Sequence, residues 1–287
     1  MHCPVDCKYC MANRIDIRSK FWEDVNNRIG LNKSCLFINR LPNDPPVAEM
    51  GFPWHLMDGE YLGFQGITDC FWQPYFNDLE FIIDKVNNSK IRRLVLTTKL
   101  PVSINLLSLL KTCKKLLVVY SLTGLDSLEN TTTSSRINSM ELLLKEGIDV
   151  FPIIHPYIHE VSDLSFISQL EKLGLKYISW KGFRFNPNNM PDLIKLIPPH
   201  LLNVYTKNEE EILLGEDYLK ELTSKHNLTY IDLKSYIRKN RPIDGVSVEQ
   251  ATQDVNSLKE LVCLSTSEKD SNLLYDYVIK RRTEKKS

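Results

Sequence analysis

The chain has 287 residues, 43% hydrophobic and 25% charged, enough to bury a full core as one large α/β domain or one domain with a cap. Its 36 basic and 36 acidic residues balance, which removes any global electrostatic argument for nucleic-acid or membrane binding. There is no run of about 18 apolar residues to span a bilayer, and the start lacks the apolar stretch of a secretory signal. Seven cysteines, an odd number at irregular spacing, do not make a disulfide framework. They read as reduced thiols and metal ligands of a cytoplasmic protein, with Cys35 and Cys113 as small buried apolar residues.

Taken in chain order, the segment Ile17–Ile29 is expected to be helical and Tyr61–Ile67 a short strand. Asn77–Asn87 predicts a helix that buries Leu79, Phe81, Ile82, Ile83 and Val86. Arg93–Thr98 is a β-rich run, Ile104–Thr112 a helix, and Leu116–Leu122 a continuously apolar strand. Arg136–Glu146 predicts a helix stopped by Gly147; Asp149–Ile154 a strand; Asp163–Leu173 a helix closed by Gly174. Tyr177–Phe185 is a further strand. Beyond Pro187 the pattern loosens. A charged helix is expected over Glu209–Lys225, a last strand in Leu228–Leu233, and terminal helices at Gln250–Val262 and Ser271–Arg282, before a solvated basic tail. Strands of about five to eight residues alternating with longer helices imply βα units and a parallel sheet. Ligand chemistry then belongs at the C-terminal ends of the strands.

The chain opens Cys3-Pro4-Val5-Asp6-Cys7-Lys8-Tyr9-Cys10, a C-x3-C-x2-C spacing with an aromatic before the last cysteine. Three thiolates on one short loop can hold three irons of a cubane. Such clusters usually take four cysteines, so one iron would stay open to a small molecule. Zinc is the other reading of the spacing, with His2 as a conceivable fourth ligand; zinc usually takes paired ligands, and no second C-x2-C follows.

Four segments together resemble the spore photoproduct lyase-like branch of the radical S-adenosylmethionine (SAM) superfamily. They are Cys3–Cys10; Gly66-Ile67-Thr68-Asp69 with Gln73-Pro74; Thr97-Thr98-Lys99; and Val119-Tyr120-Ser121-Leu122-Thr123. Arg136 and Pro152–His159 continue the likeness, which covers about Cys3 to Pro187. The resemblance implies a [4Fe–4S] cluster on Cys3, Cys7 and Cys10, with SAM chelating its open iron. It also implies a low-potential electron donor such as a flavodoxin or ferredoxin. Carried over residue by residue, Thr68 and Asp69 meet the SAM amino group, and Lys99 and Ser121 its carboxylate. Those chemistries match, because an ammonium wants a carboxylate and a carboxylate wants a Lys and a hydroxyl donor. Photoproduct lyases proper relay hydrogen atoms through a Tyr and a Cys. Met11, Gly66 and Ile67 stand at the corresponding places, so thymine-dimer repair is not implied.

The expected fold is therefore α/β: a partial, TIM-type (β/α)6 barrel over residues 1–187 and a small C-terminal extension over 188–287. The expected activity is reductive cleavage of SAM with hydrogen abstraction from an unidentified substrate. A zinc-stabilised nucleic-acid-binding protein and a radical SAM fold without catalysis are the alternatives. Cys70, after Asp69 at a strand end, is the candidate thiol hydrogen donor, with half-buried packing as its other reading. Tyr120 is expected to pack on the face opposite Ser121. His155, Tyr157 and His159 cluster after the fifth strand, and Phe71, Trp72 and Tyr75 could stack on adenine or serve the core. Only two residues precede Cys3, so the first barrel strand is expected to be missing. The edge of Tyr61–Ile67 would then lie open or be covered from elsewhere, by the Cys35–Arg40 run.

Overall fold

The computed structural model describes residues 3–10, 29–32, 35–39, 46–50, 58–59, 61–65, 69–185, 191–207 and 211–240. In chain order the elements begin with β1 (Ile29–Asn32), β2 (Cys35–Asn39), β3 (Asp58–Gly59), β4 (Leu62–Gln65) and α1 (Phe76–Asn87). Next come β5 (Lys90–Ile91), β6 (Leu94–Thr98), α2 (Ile104–Leu110), β7 (Leu116–Leu122), α3 (Thr133–Lys145) and β8 (Asp149–Ile154). Then follow α4 (Ile167–Lys172), β9 (Tyr177–Trp180), α5 (Pro191–Ile194), α6 (Pro199–Thr206), α7 (Glu216–Lys225), β10 (Thr229–Tyr230) and α8 (Leu233–Asn240).

The main sheet runs β1-β2-β4-β6-β7-β8-β9-β10, and every neighbouring pair is parallel except β1 with β2. β3 and β5 form a separate two-stranded pair. Among the described residues the main sheet is open. From β4 onward its strands lie in chain order, and the apolar sides of α1 to α4 share one core with one face of the sheet. That follows from right-handed crossovers always advancing in one direction, which lay each helix on the same side.

β7 shows why both faces are covered. All seven of its residues are buried. Leu116, Val118, Tyr120 and Leu122 point into the helical core, so Tyr120 is a packing residue, as its register predicts. Leu117 and Val119 alternate onto the other face with Val95, Phe151 and Ile153, where Tyr236 and Ile237 of α8 close over them. The Tyr236 ring lies 4.4 Å from that of Phe151. Helix boundaries obey local chemistry. Ser103 and Thr132 cap α2 and α3 by accepting the amides of Leu106 and Ser135. Gly147 and Gly174, with φ of 74° and 76°, stop α3 and α4.

Of the two outcomes expected for the edge of β4, the covered one holds: Cys35–Asn39 lies parallel against it, with Leu36 opposite Leu62 and Ile38 opposite Phe64, and β1 extends the sheet beyond. A strand later in the chain than the cysteine loop thus fills the place of the one expected before it. The described part of 188–240 also adds to the same sheet through β10, which pairs with β9, and to the second face through α8. Residues 17–28 of the first expected helix and both expected terminal helices lie outside the described residues, and Ile29 is in β1. Among the described residues no helix is long and apolar enough to cross a membrane.

Candidate active site

The cysteine loop is shaped by its spacer residues. Val5 and Tyr9 are buried, whereas Cys3, Cys7 and Cys10 are only partly so. Two turns fold the loop: Asp6 N donates to Cys3 O at 3.1 Å and Cys10 N to Cys7 O at 3.0 Å. The loop is then sewn to the segment after β7. Lys8 N donates to Leu128 O at 2.9 Å, and Asn130 N donates to Val5 O at 2.8 Å. Glu129 sits between these two bonds, facing Cys7.

All three cysteines line one cavity of about 460 Å³, within the size range of small-molecule sites. Asp69, Thr97, Thr98, Lys99 and Ser121 line it from the C-terminal ends of the strands, with His155 and Pro156 beyond β8. Gly182, Phe183, Arg184 and Glu211 form the remaining wall. The cysteines share the cavity without meeting at a point. Among the described residues no three His, Cys, Asp or Glu side chains are set to hold a single metal ion. One zinc would need its sulfurs about 2.3 Å from a common centre, whereas a cubane offers each cysteine its own iron. The three thiols thus offer one donor to each of three irons of a cubane, and His2, the fourth ligand of the zinc reading, lies outside the described residues. Burial raises the Cys3 thiol above its ordinary value and pushes Cys7 up to about 12, where Lys99 opposes the shift and Glu129 adds to it.

The expected SAM contacts are brought together, and each is already partly engaged. Asp69 accepts Lys99 N at 2.6 Å, the Thr98 hydroxyl at 2.7 Å and Phe71 N at 3.0 Å. Burial raises this carboxyl, and the Lys99 amide and Thr98 hydroxyl pull it back. The Lys99 ammonium donates to Glu129 at 3.0 Å and to the Tyr9 hydroxyl, lying 4.7 Å from the centre of that ring. Burial lowers the Lys99 ammonium. Ser121 gives its single hydroxyl proton to His155 O at 2.6 Å, so as placed it offers only acceptor lone pairs, not the donor that the carry-over assigned. Thr68 lies outside the described residues.

Cys70 is corrected. Its thiol is 1% exposed, donates to Thr97 O at 3.3 Å and packs in the helical core, off the cavity wall. The residue turns inward because Phe71 and Tyr75 anchor the same turn in that core, with Phe71 edge-on to Tyr120. Neither ring reaches the cavity, and Trp72 packs against the same core. Of the later cluster only His155 lines the cavity; Tyr157 instead bonds His159 at 2.9 Å.

The groups that sequence reasoning missed lie beneath this surface. Glu129 has a fully buried side chain that takes Arg136, Lys99, the Thr123 hydroxyl at 3.2 Å and, at 3.9 Å, the Cys7 thiol. Arg136, noted earlier only for its place in the family order, is a brace. Its guanidinium donates to Lys99 O at 3.0 Å, Ser121 O at 3.1 Å, Thr131 O and hydroxyl at 3.0 and 2.8 Å, and Glu129. One side chain thereby ties the ends of β6 and β7 to the segment that holds the cysteine loop. The far wall was also missed. Arg184 there has no hydrogen bond or ion pair among the described residues.

Gly182 shows how tightly that wall is fitted. A Cβ on it would lie 2.2 Å from Ile212 O, across the antiparallel bridge between Phe183 and Ile212. Gly182→Ala is expected to push the 211–213 segment off the cavity and cost about 1–3 kcal/mol. A lowered urea midpoint would register this, and an unchanged midpoint would contradict the contact.

No family model matches the chain, and no curated protein matches it. Among solved structures, it is similar to Streptococcus suis SuiB bound to S-adenosylmethionine, at 14% identity and a TM-score of 0.46, over 87% of this chain and 52% of that one. SuiB bound to the precursor peptide SuiA aligns at 15% identity and a TM-score of 0.46, over 84% and 49%. The radical S-adenosylmethionine methyltransferase TsrM from Kitasatospora setae, with cobalamin and a [4Fe–4S] cluster bound, aligns at 12% identity and a TM-score of 0.35, over 45% and 27%. The chain thus spans about half the length of SuiB. Likeness at this level assigns no activity.

Proposed function

We propose that this chain is a radical SAM enzyme whose open parallel sheet is the partial barrel of that superfamily. It would hold a [4Fe–4S] cluster on Cys3, Cys7 and Cys10, cleave SAM reductively and abstract hydrogen from an organic substrate. The observation that carries the reading is the shared cavity: three thiols of a C-x3-C-x2-C loop face Asp69 and Lys99 at the C-terminal ends of parallel strands. The photoproduct lyase-like branch rests on the sequence segments alone.

A cluster held on Cys3, Cys7 and Cys10 would supply the electron for reductive opening of a carbon–sulfur bond in SAM. The chain's own groups bind and orient. Lys99 spends two of its three N–H bonds on Glu129 and Tyr9, and the third is available to the SAM carboxylate. Asp69 keeps acceptor capacity on the oxygen that takes the Lys99 amide, and this suits the SAM ammonium. Arg184 and Glu211 face the space where substrate would lie. A flavodoxin- or ferredoxin-type donor would supply the electron.

Anaerobic reconstitution with iron and sulfide, followed by dithionite, SAM and an assay for 5′-deoxyadenosine, tests the reading. A brown protein that forms deoxyadenosine supports it; a colourless protein with one tightly held zinc would replace it with the zinc-stabilised alternative. Within the enzyme, Lys99→Ala is expected to weaken SAM binding by ~1.5–3 kcal/mol, the worth of a hydrogen bond to a charged group. Equilibrium titration should show this while iron content stays at the wild-type value.

A further inference from the structure

We infer that Glu129, Lys99 and Arg136 form a buried charge relay that sets the reduction potential of the cluster through Cys7. This rests on the proposed function and concerns residues that the family resemblance leaves without a role at the cluster. Glu129 is held in place from both sides of the chain, because its neighbours Leu128 and Asn130 bond the backbone of the cysteine loop at Lys8 and Val5. Its carboxylate has 0% exposed side-chain surface, approaches the Cys7 sulfur to 3.9 Å, and is flanked by the guanidinium of Arg136 and the ammonium of Lys99. Structural need alone does not account for Lys99 here. Arg136 already spans Lys99 O, Ser121 O and the 129–131 segment without it. Charge, hydrogen bonding and burial around the sulfurs are the levers a protein has on cluster potential. Reduction adds one electron, so a nearby anion opposes it and a nearby cation favours it.

The consequence is a pair of opposite signs. Glu129→Gln removes a negative charge beside Cys7 and keeps the shape, so the midpoint should rise. Lys99→Met removes a positive charge and should lower it. Each change is expected to alter the reduction equilibrium at least tenfold, which is 59 mV for one electron. The readout is a redox titration of the reconstituted proteins without SAM, followed by the visible absorption of the cluster, with iron and sulfide measured alongside. Wild type that takes up no iron refutes the proposed function. Wild type and variants that load equally and share one midpoint refute the relay and leave the proposed function standing. Shifts of the same sign in both variants, or loss of iron from both with the fold retained by circular dichroism, would show that the three residues only shape the loop and would overturn the inference.

Discussion

Cys7→Ser is expected to leave a folded protein that retains little iron and forms no detectable 5′-deoxyadenosine. Cys7 is the middle one of the three proposed ligands and the one whose sulfur meets the buried charges, through Glu129. A serine hydroxyl can keep the contact with Glu129, so the fold is spared. It is a far poorer ligand for iron than a thiolate, and the two remaining cysteines leave a second iron open. The informative control is Cys70→Ser. That residue lies in the helical core and donates to Thr97 O, a bond a hydroxyl can also make. Cys70→Ser should therefore keep both cluster and SAM cleavage. Loss of deoxyadenosine formation in Cys70→Ser, with iron content unchanged, would restore the thiol to the chemistry.

The second large effect is thermodynamic. Arg136→Met should destabilise the protein by about 3–5 kcal/mol, the usual cost of removing one partner of a buried ion pair. Its guanidinium and the Glu129 carboxylate both have 0% exposed side-chain surface. Removing the cation also takes a donor from the carbonyls of Lys99, which keeps the Thr131 hydroxyl, and of Ser121. Urea unfolding of the metal-free protein measures the loss as a lower midpoint at similar slope. Adding Glu129→Gln to Arg136→Met should recover part of it, because the double variant no longer buries an anion left with Lys99 as its remaining cation. Strict additivity of the two changes would show that the pair is not coupled.

The strands and helices that carry the site were legible because their periodicity is strong. Leu116–Leu122 and Asp149–Ile154 have the bounds that their apolar runs predicted, and glycines stop the two helices where expected. The register of β7 separates Ser121 from Tyr120 by alternation alone. What was not legible depends on tertiary approach. Glu129 sits in a polar loop of ordinary composition, and nothing local distinguishes it from a solvated acid until β7 and the cysteine loop enclose it. Tyr9 carried an aromatic signal but no partner, since Lys99 arrives from 90 residues away. Of the two readings of Cys70 the packed one holds, because its position at a strand end is also the start of a turn whose aromatic neighbours draw it into the core. Pairing of Cys35–Asn39 with β4 was foreseen as one way to cover an edge. Its added partner, β1, was not, because Ile29 was counted into a helix.

The cradle of the cysteine loop has a consequence for timing. Cys7 leaves the ribosome 122 residues ahead of its partner Glu129, and Arg136 follows later still. At synthesis rates of about 5–20 residues per second, that interval is roughly 6–24 s. During it the loop of the three thiols lacks its backbone bonds to Leu128 and Asn130, which do not yet exist. Insertion of the proposed cluster into the nascent chain would act on an unshaped loop, whereas insertion after the segment following β7 has closed would meet thiols already gathered in one cavity. Maturation should therefore favour the released, folded chain over the one still being made.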